Sequence, residues 1–337
     1  MISISPFSAT DVRARSRCLP GTSGDSLRES DQRAPLGANA ASRWRADGDR
    51  NRVSAQDVDL LLALHAQKSA RSVRSFRRAH PERPIVVALT GTDLYRDLAR
   101  SARARRTLEI ADRLVVLQPL ALRELPPAAR RKAKVILQSV ERGRPHLDRR
   151  GPFFEVLVLT HLRQVKDPLR AALAARLLPA NSRIRVTHLG AAMSPALERR
   201  ARVETDRNHR YRWIGDRSHA EAMRRLARAH LLVLTSRLEG GANVISEAVA
   251  HGVPVLSSRI AGSLGLLGRD FMGFFEAGDS RGLAVLLHRA ETEPRFLRGL
   301  QRHCRRLGPL FAPARELAAW RALLRELGKY GGSRRAL

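Results

Sequence analysis

Two glutamates stand eight positions apart in the stretch 236–258, SRLEGGANVISEAVAHGVPVLSS, on either side of a Gly-Gly pair. Carboxylates are strong acceptors for hydroxyl groups, so Glu239 and Glu247 could hold the two ends of one extended ligand. A sugar at one end and a ribose at the other, joined by a diphosphate, describes a nucleotide sugar. The pattern therefore indicates a nucleotide-sugar site.

The sequence around the glutamates predicts how they are held. The apolar run at 230–236 is typical of a buried strand, and the two glycines form a turn into a helix through 246–250. We expect Asn243 to cap this helix and a later glycine and proline to end it. Gly240 and Gly241 would let the backbone approach an anionic ligand, which the free N–H groups and dipole of the helix N-terminus attract.

Basic residues follow another predicted strand, in THLRQVKDP at 160–168. Arg163 offers a bidentate guanidinium and Lys166 a point charge, so the pair could take the role that a divalent ion plays elsewhere. The Asp-Val-Asp at 57–59 leads directly into a predicted strand and is a poor metal site. We therefore expect no metal ion.

Two groups of polar residues follow strands in the first half of the chain. LALHAQKSA at 62–70 places His65 and Lys68 at the end of one predicted strand, and ALTGTDLYRD at 88–97 follows the next. Side chains at the carboxyl ends of parallel strands face the ligand crevice in open α/β sheets. A lone histidine is more often structural than catalytic. The position of His65 at a strand end that faces the crevice makes a catalytic role more probable than it is for an average histidine. From the second group we single out Gly91, Thr92, Asp93 and Arg96.

The elements that must position these residues alternate along the chain. From residue 57 onward, short β-rich apolar runs alternate with charged stretches of helical period, which is typical of parallel sheets covered by helices. With 337 residues and 43% hydrophobic content, the chain is long enough for two domains. The predicted strands are 59–64, 85–89, 113–117 and 134–137 in the first domain, and 154–159, 183–189, 211–214, 231–235 and 254–257 in the second.

The predicted fold class is α/β, with two Rossmann-like doubly wound domains facing a cleft. We place the first domain at 48–140, a linker at 141–152 and the second domain at 153–312. A helix at 313–328 has apolar residues at helical spacing, and it either packs locally or crosses back to the first domain. Residues 1–47 are polar, so we expect this segment to be disordered or to reflect a misassigned start. The first domain is then expected to lack a normal first strand and Gly-rich loop.

The composition bears on partners. The formal net charge is +30, which ordinarily indicates nucleic acid. Here the positive charge is spread along nearly the whole chain, aromatic residues are only 4%, and no nucleic-acid-binding signature is present. Only five of the 62 basic residues are lysines, as expected of a biased base composition. We therefore expect no specific nucleic-acid partner.

Cysteines and apolar runs bear on location. Cys18 and Cys304 are far apart and lack His or Cys neighbours at metal spacing, so neither a disulfide framework nor a zinc site is indicated. The longest apolar runs have strand length rather than the roughly 20 residues of a membrane span, and the N-terminus lacks an apolar signal core. We expect a cytoplasmic protein without a transmembrane segment, and the sequence leaves its oligomeric state open.

The stretch EGGANVISE, with seven residues between its glutamates, is followed by AVAHGVPVLSS and a later Gly278-Asp279. This combination resembles the large glycosyltransferase family that has the GT-B fold and an E-x7-E motif. The resemblance implies that Glu239 contacts the hydroxyls of the donor sugar, that Glu247 holds the ribose, and that a basic pair neutralises the donor diphosphate. The donor-binding residues expected on this basis are Arg163, Lys166, Gly240, Gly241, Asn243 and Glu247.

Seven segments together narrow the resemblance to the selenosugar synthases of selenoneine biosynthesis (SenB). They are LLALHAQKSA, VVALTGTDLYRDL, ADRLVVLQPLAL, KVILQS, HLRQVKDP, YRWIG and SRLEGGANVISEAVAHGVPVLSSRIAGSLGLLG, within about residues 57–327. This resemblance implies transfer of a sugar, typically N-acetylglucosamine, from a UDP-sugar to selenophosphate, with the UDP-sugar as a co-substrate and no cofactor. The residues implied are Glu239, His65 and Lys68 in catalysis, and Gly91, Thr92, Asp93 and Arg96 on the acceptor side.

The chain departs from the family pattern at two places. Thr90 stands where related transferases often have histidine, which removes one possible base. The polar segment 1–47 stands where the selenosugar synthases open with a strand and a Gly-Asn-Arg-type loop, so the acceptor side is the less well predicted half of the site.

Two other functions are weighed against this one. A transferase of the same fold could act on a lipid or polysaccharide acceptor, with its basic surface docked on an anionic membrane. A basic nucleic-acid-binding module would instead require selective binding that survives physiological salt.

Overall fold

The structure is a computed structural model that describes residues 59–143 and 151–334, with backbone only for 329–334. The predictions for residues 1–47, including the missing first strand and loop, lie outside the described residues. The same holds for most of the predicted linker at 141–152.

The first domain is a parallel sheet with helices between its strands. Its strands are β1 (Leu61–Leu64), β2 (Ile85–Ala88), β3 (Arg113–Val116) and β4 (Ala133–Val135). Its helices are α1 (Ala70–Ala79), α2 (Leu98–Arg100), α3 (Ala102–Ile110) and α4 (Pro127–Arg131), with a π-helical turn at Asp93–Asp97 and a 3-10 turn at Pro119–Glu124. All pairs are parallel and the order is β1-β2-β3-β4.

The second domain follows the same alternation with more strands. Its strands are β5 (Phe154–Leu159), β6 (Ile184–Leu189), β7 (Tyr211–Trp213), β8 (Leu231–Leu234), β9 (Val255–Ser258) and β10 (Phe274–Phe275). Its helices are α5 (Arg170–Ala175), α6 (Pro195–Arg207), α7 (His219–Arg228), α8 (Asn243–Ala250), α9 (Ala261–Leu267), α10 (Ser280–Thr292) and α11 (Pro294–Leu307), with 3-10 turns at Gln164–Lys166 and Gly308–Phe311. A final helix, α12 (Pro313–Arg334), ends the described chain.

The second sheet has the order β10-β9-β8-β5-β6-β7, and all its pairs are parallel. The chain builds outward from β5 to β7 and then returns to the other side of β5 with β8. The strand order therefore reverses between β5 and β8. In open α/β sheets the crevice at such a switch point, outside the carboxyl ends of the strands, is where ligands bind.

The predicted fold class is confirmed, and all nine predicted strands are present, with ends shifted by no more than two residues. One further strand, β10, was not predicted; it has only two residues, Phe274 and Phe275. An alternation of period two cannot be recognised over so short a run.

The first sheet is covered differently on its two faces. One face packs against residues of α1 and α3, including Val73, Phe76 and Leu108. On the other face, the helical residues in the buried cluster come from α12, with Leu323 and Leu327 packed among strand residues such as Val86. The C-terminal helix thus supplies the cover for one face of the first sheet.

The described helices offer no membrane span: none within 59–143 and 151–334 is both long enough and apolar enough to cross a bilayer.

Candidate active site at the switch point

Lys166 and Glu239 meet where the loops after β5 and β8 come together. The Lys166 ammonium forms a short ion pair with Oε1 of Glu239, and the hydroxyl of Ser236 donates to the same oxygen at 2.6 Å. The Thr235 hydroxyl donates to the backbone carbonyl of Lys166 at 2.9 Å, which ties one loop to the end of β8. The switch-point topology therefore explains why residues 73 positions apart in the chain are in contact.

Glu247 lies on α8 and is almost completely buried, with 5% of its side chain exposed. Its Oε1 accepts a hydrogen bond of 3.0 Å from Nδ2 of Asn243 and lies 3.4 Å from Nε2 of His219. Buried carboxylates require partners of this kind, because an unpaired buried charge is costly. One carboxylate edge is thus held in place by two side chains.

The prediction that Asn243 caps α8 is wrong. The helix begins at Asn243 itself, the N-cap is Ala242, and no side chain caps the helix. The Asn243 amide instead reaches one turn forward to Glu247, an i, i+4 contact along one face of the helix. Because alanine has no side-chain acceptor, Ala242 does not cap the N–H groups in the first turn of α8.

Arg163 lies in extended backbone immediately before the 3-10 turn that carries Lys166. Its guanidinium forms no ion pair with any residue in the described parts of the chain, whereas Lys166 is paired with Glu239. The two basic residues are therefore on one short loop, as the sequence analysis expected, but only one of them has an internal carboxylate partner.

The two domains touch through glycines at the edge of this site. A Cβ at Gly91 would lie 2.8 Å from the carbonyl carbon of Glu239 and closer still to the amide nitrogen of Gly240. A Cβ at Gly241 would lie 2.6 Å from Cβ of Leu117. Contacts this short are not tolerated by real side chains, so glycine is required for the two backbones to approach. The sequence analysis assigned Gly240 and Gly241 to ligand approach, whereas here they fit against the first domain.

The first domain contributes a hydrogen-bonded cluster around His65. Nδ1 of His65 lies 2.7 Å from Oδ1 of Asp93, and Nε2 lies 3.0 Å from the hydroxyl of Thr92. His65 directly follows β1 and has a left-handed backbone conformation, with φ of 72°, which is unusual for a residue other than glycine. The sheet register brings the ends of β1 and β2 side by side, so residues 27 positions apart meet.

Thr90, the departure from the usual histidine, has a supporting role in this cluster. Its backbone N–H and its hydroxyl both donate to Oδ2 of Asp93, at 2.8 and 3.0 Å. Asp93 is fully buried, and these contacts fix its carboxylate plane. Thr90 thus belongs to the same cluster as His65, which comes from the neighbouring strand end.

The remaining predicted residues of the first domain lie at the rim of the cluster. Arg96 is 59% exposed at its side chain, and its Nε donates to Oδ1 of Asp97 at 2.9 Å. Lys68 is exposed, and its backbone N–H lies 3.4 Å from Nδ1 of His65. A cavity of about 540 Å³ opens beside Arg96 and Asp97 and is lined further by Gln67, Arg100, Ser101, Ala102 and Arg103. Basic side chains dominate its charged lining.

One group of side chains within the described ranges could bring three metal-donor atoms together. His65, Asp93 and Asp97 have donor atoms within 4.8 Å of one another. The imidazole and the Asp93 carboxylate are, however, at direct hydrogen-bonding distance, which leaves no space for an ion between them. A metal ion at this point would therefore require the imidazole and the Asp93 carboxylate to move apart.

The sequence analysis missed Ser236, His219 and Asp97, each of which contacts a predicted site residue. Ser236 follows β8 directly, so its position at a strand end was the available signal. His219 and Asp97 lie on helices, and their sequence context offers no signal.

Gly278-Asp279 proves structural: Oδ1 of Asp279 accepts from the N–H groups of Arg281 and Gly282 and caps α10.

Comparisons with known proteins agree with this architecture. The family model described as Glycosyl transferases group 1 matches residues 156–290, which hold most of the second domain. No curated protein sequence matches the chain. Similar solved structures include HepE from Anabaena in complex with UDP and glucose, with TM-score 0.68 and 16% identity, covering 81% of this chain and 78% of that one.

Two further structures extend the likeness. Sucrose-phosphate synthase from Thermosynechococcus elongatus has TM-score 0.65 and 18% identity, covering 81% of this chain and 74% of that one. An α,α-trehalose-phosphate synthase (UDP-forming) from Burkholderia xenovorans, in complex with glucose-6-phosphate, has TM-score 0.63 and 16% identity, covering 78% of this chain and 72% of that one. The fold is therefore that of GT-B glycosyltransferases.

Proposed function

We propose that the protein is a glycosyltransferase that moves a sugar, N-acetylglucosamine, from its UDP-linked donor to selenophosphate. The observation that carries the donor half of this proposal is the pair of carboxylates, Glu239 and Glu247, around the N-terminus of α8 at the switch point. Among the proteins of similar structure, HepE was solved in complex with UDP and glucose, and the trehalose-phosphate synthase is described as UDP-forming. The selenophosphate half rests on the sequence resemblance to selenosugar synthases.

On the donor side, the UDP diphosphate would lie against Arg163, Lys166 and the uncapped N–H groups of α8. Positive charge and helix dipole both favour a phosphate at that point. They would stabilise the departing UDP as its negative charge develops, which lowers the barrier to cleavage of the glycosidic bond. No metal ion is needed in this scheme, because the two basic side chains take its part.

The glutamates divide the rest of the donor between them. Glu247, buried and fixed by Asn243, would accept hydrogen bonds from the ribose hydroxyls. Glu239 would contact hydroxyls of the transferred sugar and offset positive charge as the anomeric carbon takes on oxocarbenium character. Its present ion pair with Lys166 must then be exchanged when the diphosphate binds.

The acceptor side suits a small anion. Lys68 and Arg96 are exposed at the rim of the His65 cluster, and the adjacent cavity is lined by Arg100 and Arg103. An anionic nucleophile needs positioning by positive charge more than it needs a strong base. The selenium of selenophosphate would attack the anomeric carbon of the donor, a C–Se bond would form, and UDP would leave.

The test is mass spectrometry of the purified protein incubated with UDP-N-acetylglucosamine and freshly generated selenophosphate. We expect a hexosamine product with the selenium isotope pattern, formed together with UDP. UDP formed only when a lipid or polysaccharide acceptor is added would reject selenophosphate and favour the alternative acceptor class. The negative control is Lys166→Ala, which removes a donor-binding charge.

Binding of UDP tests the donor site separately. Glu247→Ala should weaken UDP binding about tenfold or more, which corresponds to about 1.4 kcal/mol for each tenfold change. The measurement is isothermal titration calorimetry with UDP. The matched control is Glu198→Ala, which removes an exposed carboxylate paired with Arg202 on α6, far along the chain from the site. An unchanged affinity in the Glu247 variant would contradict the assignment of this residue to the ribose.

A further inference from the structure

Thr92, His65 and Asp93 form a chain of side chains in which each contacts the next. The Thr92 hydroxyl is 3.0 Å from Nε2 of His65, and Nδ1 of the same ring is 2.7 Å from Oδ1 of Asp93. The second contact is an ion pair and not a well-aligned hydrogen bond, because Asp93 Oδ1 makes no hydrogen bond with any described residue. A hydroxyl, an imidazole and a carboxylate in this order are the parts of an activated hydroxyl nucleophile.

The order of the chain fixes the role of each member. With a carboxylate oxygen 2.7 Å from Nδ1, a proton on that nitrogen is favoured, because two facing lone pairs would repel each other at this distance, and Nε2 is then left to accept from the Thr92 hydroxyl. Asp97 lies 3.6 Å from Nε2, which is too far for a good hydrogen bond, and the Lys68 N–H at 3.4 Å is a much longer contact than that of Asp93. The hydroxyl proton therefore has one acceptor within the ring.

Burial decides which member can meet a substrate. Asp93 is 0% exposed and His65 is 7% exposed, whereas Thr92 is only partly buried. Gly91, the residue before Thr92, is in contact with the Glu239-Gly240 backbone of the other domain. Thr92 is thus the end of the chain that faces the site, and the imidazole can act on a substrate only through it.

The surroundings hold this arrangement in place. Thr90 fixes the far oxygen of Asp93 with two hydrogen bonds, and the π-helical turn begins at Asp93 itself. His65 keeps a positive φ of 72°, a conformation that costs a residue with a side chain about 1 kcal/mol or more. Strained backbone and π-helical turns are both concentrated at functional sites.

We propose that Thr92 is the nucleophile that removes the phosphoryl group from selenium after the C–Se bond has formed. This inference rests on the proposed function, because transfer to selenophosphate leaves a phosphorylated selenosugar. The Thr92 oxygen would attack phosphorus, a P–O bond would form and the P–Se bond would break. The hydroxyl proton passes to Nε2 of His65, and the selenosugar leaves as a selenolate.

Water then completes the cycle. A water molecule attacks the phosphorus of phospho-Thr92, the P–O bond to the threonine breaks, and the threonine oxygen recovers a proton from His65. Inorganic phosphate is released. The two steps add up to hydrolysis of the P–Se bond, in which no atom is oxidised or reduced, so no further co-reactant is required.

The experiment measures the form of the selenosugar made from UDP-N-acetylglucosamine and selenophosphate, by mass spectrometry of samples quenched in the first turnovers. The wild type should yield the free selenosugar. Thr92→Val keeps the shape but removes the nucleophile, so the ratio of phosphorylated to free selenosugar should rise about 100-fold. Thr92→Ser restores a hydroxyl and should return this ratio to within about tenfold of wild type.

The outcomes separate this inference from the proposed function. A Thr92→Val variant that yields the free selenosugar in the wild-type ratio, at whatever overall rate, overturns the role of Thr92. Absence of any selenosugar and of UDP release from the wild type overturns the proposed function, and this inference falls with it. A ratio is insensitive to partial misfolding, because both forms come from the same folded molecules.

Discussion

Lys166 and Glu239 neutralise each other across the switch point, and this pairing has a consequence for donor binding. The Lys166 side chain is only 25% exposed and its ammonium pairs with Glu239, while Ser236 also donates to that carboxylate. Under the proposed function, a diphosphate that binds Lys166 would have to compete with Glu239 for its charge. The competition would release Glu239, apart from the hydroxyl of Ser236, as the sugar arrives beside it. Donor binding would therefore prepare the carboxylate for the transferred sugar.

The charge of Glu239 should matter more for turnover than for nucleotide binding. Glu239→Gln keeps the size of the side chain and an oxygen to accept from Ser236, but it loses the negative charge that would face the anomeric centre. We expect kcat to fall about 100-fold, while UDP affinity is kept or rises, because Lys166 then has no charged competitor for the diphosphate. Initial rates and calorimetry with UDP check the two quantities, with Glu198→Gln as the exposed control. An equal loss in both would mean that Glu239 holds the nucleotide.

At the scale of elements, His188 secures the loop that carries Arg163 and Lys166. Its Nε2 lies 2.9 Å from the carbonyl oxygen of Thr160, at the end of β5, so this nitrogen must carry the proton. Its Nδ1 then accepts from the hydroxyl of Tyr211 on β7 at 2.8 Å. Complete burial lowers the pKa of His188 to about 4. One neutral imidazole thus links three neighbouring strands next to the loop that carries Arg163 and Lys166.

This imidazole predicts a dependence of stability on pH. Because the pKa of His188 falls from 6.5 in the unfolded chain to about 4 in the fold, the unfolded state binds more protons below pH 6.5. The stabilisation is complete above that pH and is lost as pH falls towards 4, by up to about 3 kcal/mol. The measurement is urea unfolding of wild type and His188→Gln between pH 7 and 4. The variant should be less stable at pH 7, and the difference should shrink with acidification; a constant difference would contradict the prediction.

The contact between the domains depends on a glycine pair. Gly91→Ala would place a methyl group 2.8 Å from the carbonyl carbon of Glu239, and backbone on both sides cannot yield as a flexible side chain does. The loops must separate by a fraction of an ångström or more, which under the proposed function would displace the acceptor side from the donor. Displacements near 1 Å can cost about 100-fold in rate, so we expect turnover to fall at least tenfold while UDP binding is kept.

The control for this prediction is Gly308→Ala. A Cβ at Gly308 has no heavy atom within 4 Å, and the backbone there has a helical φ of −47°. Steady-state rates and UDP titration of both variants provide the comparison. Wild-type turnover in Gly91→Ala would show that the close approach of the two backbones is not needed for activity.

The sequence predicted elements better than it predicted contacts between them. Nine strands were predictable because each is an apolar run bounded by polar residues. The pairing of His65 with Thr92 was not, since it depends on the register of β1 against β2, and a register shift of one residue would turn the side chains to the other face. The helix that holds Glu247 was predicted, but the predicted capping of that helix by Asn243 was wrong, because capping depends on where the first turn closes.

At the scale of the whole molecule, α12 joins the two domains. It follows the second domain in the chain but buries Leu323 and Leu327 against the first sheet. Near its start, Oε2 of Glu316 accepts from the N–H and the hydroxyl of Ser139, at 2.7 and 2.6 Å. The amphipathic pattern of this helix was visible in the sequence, but amphipathicity does not say which apolar surface a helix will cover. The strand order of the first sheet explains which surface α12 covers, because the connecting helices pack on one face of the sheet and the other face is left for α12.

Two neighbouring leucines of α12 provide a test of the contact between this helix and the first sheet. Leu323 is 2% exposed against the first sheet, whereas Leu324, the next residue, is 38% exposed. Leu323→Ala should lower the free energy of unfolding by about 2–4 kcal/mol, and Leu324→Ala by less than about 1 kcal/mol. Urea unfolding gives both values, and hydrogen exchange should locate the loss of protection in Leu323→Ala at β2 and β3, whose residues line that face. Equal destabilisation by the two substitutions, or lost protection confined to the second domain, would mean that α12 does not hold the first sheet.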